Sequence, residues 1–316
     1  MKHIKTNILM KNPTQVTLPQ HQLKISQLSK TYANGTKALQ QVDLNISTGM
    51  FGLLGPNGAG KSTFMRTLAT LQEADSGAAY FNDINILKDK HALRNVLGYL
   101  PQEFGLYPKV SPENLLNHLA ILKGILHKKT RQQLVASLLQ KTNLYEVRKK
   151  KLGGFSGGMK QRFGIAQALI TNPSLIIVDE PTAGLDPAER NRFYNLLAEL
   201  GEQAIVILST HIVEDVKELC TDMAILNKGQ ILLKASPTDA IQMLEGKIWE
   251  KHVAKAEVAE LKDNFQVISE KMFAGKPLIH IYSEGQPLNG FRQVEPDLED
   301  VYFSKIFGTT QSTVLV

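Results

Sequence analysis

The sequence predicts an α/β fold, with a mostly parallel sheet, helices between its strands, a helical insert, and a small α+β appendage at the C-terminal end. Three observations predict it. Short apolar runs give way to helical spacing at residues 50–54 then 60–71, 175–178 then 188–200, and 204–208 then 212–220, the exchange expected of strands joined by crossover helices. A glycine-rich loop, Gly55-Pro56-Asn57-Gly58-Ala59-Gly60-Lys61-Ser62-Thr63, links the first run to its helix. A later run ends on Asp179 and Glu180, which places two carboxylates at the carboxyl edge of the sheet, where α/β folds bind ligands.

Composition sets the outer bounds. The chain has 316 residues, 43% hydrophobic and 21% charged, enough for one large domain and an appendage. A net charge of +6 admits nucleic acid or an anionic surface as partner, though lysines spread over solvated faces account for it as well. The single Cys220 ends a segment with helical apolar spacing and reads as a buried thiol in a reducing compartment. The apolar runs are strand-length, far short of the about 18 residues that cross a bilayer. Residues 1–20 carry Lys2, Lys5 and Lys11 around an apolar core too short for a secretory signal, so a loosely ordered leader on a cytoplasmic protein is expected.

The elements follow in order. Residues 21–28 and 41–46 alternate apolar and polar and read as strands, and residues 50–54 form a third that ends at glycine. Residues 109–151 are mostly helical, with Ser111-Pro112-Glu113 as a helix start and leucines at 115, 116, 119, 122 and 126. After the two later strand and helix pairs come a strand at 224–226, a turn at Asn227-Lys228-Gly229-Gln230, a strand at 231–233, and a short helix opened by Ser236-Pro237. The first domain closes there, near residue 245. Residues 246–316 mix a strand-like segment (277–282) with helix-like ones (255–265, 297–307).

Each motif has a chemical reading. Glycines let the loop turn its amides inward around phosphates, the helix that follows adds its positive end, Lys61 can bridge the outer phosphates, and the Ser62 hydroxyl is placed for magnesium. Asp179 is expected to hold that magnesium through water. Glu180, the next residue, is expected to face the other way along the strand and to orient or deprotonate an attacking water, a role worth about 10² to 10⁴ in rate. Ser156-Gly157-Gly158 precedes a helix whose Met159, Phe163, Ala166 and Ile170 share one face, so Ser156 is its N-cap. That helix start is a second anion site, one more than a single nucleotide needs.

Over residues 22–245 the order of these motifs resembles the ATP-binding cassette (ABC) family. The loop at 55–63 and the strand ending Asp179-Glu180-Pro181 resemble the family's Walker motifs, and Ser156-Gly157-Gly158 its signature. Gln102 is similar to the glutamine linking the metal site to the helical subdomain, Gly184-Leu185-Asp186 to the loop that crosses between subunits, His211 to the histidine that reaches the γ-phosphate, and Tyr32 to the aromatic that stacks on adenine. There are two departures from the common pattern: Phe155 and Met159 flank the signature, and Ala183 precedes Gly184 where a serine is frequent.

The resemblance implies a P-loop NTPase cassette with an antiparallel N-terminal β-subdomain and a helical signature subdomain at about 109–171. It implies ATP and Mg2+ as cofactors, with Ser62, Gln102 and Asp179 at the metal and Glu180, His211, Gln102 and Lys61 in catalysis. It further implies a homodimer, or pairing with a related cassette, in which Ser156, Gly157 and Gly158 of one copy close on the ATP of the other. The work would fall to a separate membrane permease, with the chain peripheral on the inner face of the membrane, and the tail around residues 297–303 resembles that of exporter cassettes. No nucleic-acid partner is expected, although Arg148-Lys149-Lys150-Lys151 could touch one. The alternatives are a soluble cassette ATPase acting on ribosomes or nucleic acid, an importer cassette, and a nucleotide switch with negligible turnover.

Overall fold

The computed structural model describes residues 20–182, 184–287 and 290–311, with side chains described as far as Gly308. The expected leader lies, but for Gln20, outside the described residues, as does Ala183. The described residues open with strands β1 (Gln22–Thr31), β2 (Lys37–Ser47) and β3 (Gly49–Leu54), then helix α1 (Lys61–Leu68), β4 (Ser76–Phe81), β5 (Ile84–Asn85), α2 (Lys90–Val96) and β6 (Leu97–Leu100). Helices α3 (Pro112–Leu122), α4 (Lys128–Lys141) and α5 (Gly157–Ala168) form the helical insert. They are followed by β7 (Leu175–Asp179), α6 (Pro187–Gly201), β8 (Ile205–Thr210), α7 (Val213–Leu219), β9 (Asp222–Asn227), β10 (Gln230–Ala235) and α8 (Pro237–Gln242). The tail adds β11 (Ile248–His252), α9 (Val258–Asn264), β12 (Gln266–Phe273), β13 (Lys276–Tyr282), β14 (Arg292–Gln293) and α10 (Leu298–Gln311).

The described residues form three sheets. The central one has the order β10-β9-β3-β8-β7-β6. Five of its strands run parallel, and β10 returns antiparallel from β9 through the turn at Lys228 and Gly229. The β2-β1-β4-β5 sheet is antiparallel and covers one face, and β12-β13-β11-β14 forms the tail's antiparallel sheet. The P-loop NTPase arrangement and the antiparallel N-terminal sheet therefore match the reading of the sequence. Seven elements, β4, β5, α2, β6, β11, β12 and β14, have no counterpart in that reading. The β4 sequence Ser-Gly-Ala-Ala-Tyr-Phe has little apolar alternation, and β6 is only Leu-Gly-Tyr-Leu.

Strand periodicity divides the central runs between two cores. Residues Phe51, Leu53, Leu175, Ile177, Ile205 and Ile207 point to the core shared with α1 and the N-terminal sheet. Met50, Leu54, Ile176, Val178, Val206 and Leu208 point to the opposite core, under the helical insert and α6. Side chains alternate because successive residues of a strand face opposite ways, and a run buried on both faces needs apolar residues throughout. The same alternation sets the direction of the polar residues that end each strand.

The second core does not stop at the tail. Ile248, Ile268, Leu298, Val301 and Tyr302 belong to the same buried cluster as Val213, Val216 and Cys220, and α10 packs on α7, α8 and β12. A smaller separate cluster, with Trp249, Leu261, Ile279 and Phe291, lies within the tail itself. Cys220 is buried, as its helical spacing suggested, and burial raises its thiol far above the ordinary range.

Candidate nucleotide site

The carboxyl ends of β3, β8 and β7 lie side by side, with Leu54 registered on Thr210 and Asp179 on Ser209. Chain segments that are distant in sequence are thereby brought to one edge. The glycine loop leaves β3 and enters α1 through Gly60, whose φ of 109° is open to glycine and strained for other residues. A Cβ there would also stand 2.2 Å from the Ala38 carbonyl oxygen, so the loop and the start of β2 can approach only because position 60 has no side chain.

Lys61 is buried, at 5% exposure. Its Nζ donates to the Gly55 carbonyl at 2.6 Å and the Pro56 carbonyl at 3.3 Å and lies 3.7 Å from Glu180 Oε1. Burial pulls the ammonium below its usual pKa, while the charges of Glu180 and Asp179 act in the opposite direction. Asp179 is also buried; burial pushes its carboxyl up, and hydrogen bonds from Ser209 and Ser62 with the Lys61 charge offset part of the rise. Ser209 continues the Ile205 and Ile207 face and so meets Asp179 on the α1 side of the sheet.

Glu180 corrects one expectation. Strand alternation would send it to the opposite face, but β7 ends at Asp179 and Glu180 takes φ 48° in the left-handed region. Its amide is held by the Ser209 carbonyl at 2.9 Å. The turn, and not the pleat, aims its carboxylate. His211 Nδ1 stands 3.3 Å from Oε1 and Gln102 Nε2 donates to Oε2 at 3.2 Å, so Lys61, His211, Gln102 and Glu180 converge.

Tyr32 donates its hydroxyl to Gln72 Oε1 at 2.9 Å and shares a 3.0 Å hydrogen bond with Thr63 Oγ1. Its ring stays 39% exposed over a cleft of about 480 Å3 that the loop from Pro56 to Thr63, Gln102 and Glu180 also line. Ser156, Gly157 and Gly158 do not line that cleft. Ser156 caps α5, accepting from the Met159 amide at 3.3 Å, and Ser156 and Gly157 face solvent. Phe163, Ala166 and Ile170 are buried below. Asp186 caps α6, accepting from the Glu189 amide at 2.9 Å, with Pro187 next.

Sequence reading missed four polar residues near this edge: Thr182, Ser209, Thr210 and Asp215, all buried. The hydroxyls carried no signal of their own. Asp215 did: it is an acid among Val213 and Val216 on the buried face of α7.

A glycine loop closing a strand onto a helix N-terminus, with a buried lysine and strand-end carboxylates, defines a nucleotide-binding protein of the P-loop class. Residues 39–183 match the ABC transporter family. The ABC transporter ATP-binding protein YxlF of Bacillus subtilis is 33% identical over 301 residues, spanning 90% of this chain and 99% of its own. The chain belongs to the ABC transporter ATP-binding proteins. The probable multidrug ABC transporter ATP-binding protein YbhF of Escherichia coli is 31% identical over 290 residues, 87% of this chain, and the match spans half the length of YbhF. The dimeric ATP-binding cassette MJ0796, in a post-hydrolysis state with ADP and Pi, matches with a TM-score of 0.62 at 27% identity, over 68% of this chain and 98% of that one.

Proposed function

We propose that this chain is the ATP-hydrolysing subunit of a membrane exporter, acting as a head-to-tail pair of copies, or with a related cassette, on a separate permease. The observation that carries the reading is the position of Glu180, whose carboxylate is held among Lys61, His211 and Gln102 beside the phosphate loop. In this reading Lys61 and the amides of residues 55–63 grip the phosphates, Tyr32 stacks on adenine, and His211 reaches the γ-phosphate. Glu180 orients the attacking water and takes its proton, which strengthens the nucleophile as it approaches phosphorus.

Magnesium suits the donor set. It takes oxygen ligands from one or two carboxylates and keeps several waters, and this edge offers the Asp179 carboxylate, the Ser62 hydroxyl bonded to it and the Gln102 carbonyl. Those three residues would hold the ion, which would neutralise phosphate charge.

The partner reading rests on the exposed Ser156 and Gly157, a helix start outside its own chain's cleft, and agrees with the dimeric state of the MJ0796 cassette. Residues 21–245 form the cassette, with the helical subdomain at 109–171, and residues 246–316 an accessory domain. No helix among the described residues is long and apolar enough to cross a membrane; in this reading the permease is a separate chain and this one sits on its cytoplasmic side. Exposed Tyr107, Leu122 and Leu126 in the insert region offer apolar contacts for it. Export is preferred over import because the tail resembles exporter cassettes and YbhF carries a multidrug name.

The test is the ATPase rate of the wild type, Lys61→Ala and Glu180→Gln. Glu180→Gln is expected to keep ATP binding and lose about 10² to 10⁴ in rate, with closed pairs accumulating on size-exclusion chromatography. Equal low rates in all three would remove hydrolysis and leave binding alone.

A further inference from the structure

Behind the site, on the α7 side of the sheet, one carboxylate gathers three elements. Asp215 is 0% exposed, and no Lys, Arg or His forms an ion pair with it among the described residues. Its Oδ2 accepts from Thr182 Oγ1 at 2.6 Å and from Thr210 Oγ1 at 2.9 Å, and its Oδ1 accepts from the Tyr194 hydroxyl. Those three donors are themselves buried. Burial and the adjoining carboxylate hold the Tyr194 phenol protonated well above the ordinary range, which keeps it a donor.

A buried carboxylate without a cation is costly unless its oxygens are satisfied, and an apolar residue would fill the same face of α7 at no such cost. The position of the three donors accounts for an acid here. Thr182 stands two residues beyond Glu180, Thr210 immediately precedes His211, and Tyr194 lies on α6, the helix that Asp186 caps. Thr210 Oγ1 also accepts from the Ile212 amide at 3.0 Å, so the residues on both sides of His211 are pinned to one hydroxyl. Strand pleating supplies the arrangement: Ser209 meets Asp179 on one face of β8, and Thr210 meets Asp215 on the other.

We propose that Asp215 is a positioning residue for the hydrolytic site, fixing the loop that carries His211 against the loop that carries Glu180. The inference rests on the functional reading given above. It acts through His211 and touches no reacting atom. Misplacement of a catalytic group by about 1 Å costs up to about 10²-fold in rate, and a hub that sets the 3.3 Å separation of His211 and Glu180 acts on that scale.

The experiment measures ATP affinity and single-turnover hydrolysis for full-length wild type, His211→Ala, Asp215→Asn and the double variant, with thermal unfolding of each. Asp215→Asn is expected to leave ATP affinity within about twofold and to slow hydrolysis about 10- to 100-fold, and to cost little further in the His211→Ala background, since non-additivity marks residues acting through one another. A rate within twofold of wild type, a loss that tracks affinity, or full additivity with His211→Ala overturns the inference. Thr210→Val and Thr210→Ser give the second arm and decide the matter if Asp215→Asn does not fold. Serine, which keeps the hydroxyl, is expected to retain the rate that valine loses; equal rates overturn the proposal. If His211→Ala itself matches the wild type, the reading of the site fails first, and the two failures are thereby told apart.

Discussion

The phosphate-loop end of the molecule and the Ser156 end of α5 are both helix N-termini framed by glycine, yet the chain completes only the first. Around Lys61 every charge has a counterpart: the ammonium has two carbonyls and Glu180, Asp179 has Ser209, and Glu180 has His211 and Gln102. At α5 one serine cap meets one amide, and Ser156 and Gly157 face solvent while Gly158 is buried. The lesson is that a self-satisfied cradle and an exposed one on the same chain fit the proposed pairing, in which the surplus anion site closes on another copy.

The strongest way to break that comparison is to divide the two ends between copies. Lys61→Ala and Ser156→Arg are each expected to lose about 10²-fold or more in ATPase rate, the scale of removing a preorganised anion-stabilising group. Mixing the two is expected to restore activity, since one of the two shared sites then has an intact loop and an intact serine. A mixture as inactive as its components, with mixed pairs shown to form, would mean that each chain hydrolyses alone.

A smaller effect tests how α5 is seated. A Cβ at Gly98 on β6 would stand 2.7 Å from the Ala168 carbonyl oxygen and 2.9 Å from Pro173 Cγ, so the strand and the end of α5 touch only because residue 98 is glycine. Gly98→Ala is expected to cost about 1–3 kcal/mol through overpacking, read as a lower denaturant midpoint, while the phosphate-loop geometry keeps ATP affinity near wild type. Unchanged stability would show that the signature helix is loosely placed.

The smallest effect lies in the tail. His280 Nδ1 is 2.8 Å from Asp300 and its Nε2 3.4 Å from Glu250, and the Asp300 hydrogen bond, with both charges, raises the imidazole pKa against the opposing effect of burial. The charged pair therefore contributes fully below the unfolded histidine value of about 6.5, and its contribution fades as pH rises through the higher folded value. Asp300→Asn is expected to lower Tm by about 2–4 °C at pH 6, with a narrower gap from wild type at pH 8. A gap that does not change with pH would assign Asp300 only to capping, since it also accepts from the Asp297 amide at 3.0 Å.

Much of this arrangement was legible because the central strands are buried on both faces and read as plain apolar runs, each closed by a polar residue or glycine. The phosphate loop from Gly55 to Thr63 and the pair Asp179 and Glu180 were legible as motifs, and Gln102 and His211 through the resemblance to the ATP-binding cassette family. What stayed hidden had local causes. Glu180 was misdirected because a single left-handed residue interrupts the pleat, and no side-chain pattern announces that turn. β4 and β6 were missed because Gly77, Ala78, Ala79 and Gly98 give up side chains for close packing, which erases the alternation that marks a strand. Asp215 was overlooked because a buried acid is recognised by its donors, and those donors lie up to 33 residues away in sequence.

Because Leu298, Val301 and Tyr302 of α10 are packed into the same apolar cluster as Val213 and Val216 of α7, the last helix and the helix just after His211 share one fate on unfolding. Heat or urea should therefore melt them together, in one cooperative step, and damage near the final turn of the chain would be felt at the nucleotide edge as lost order and not as a detached tail.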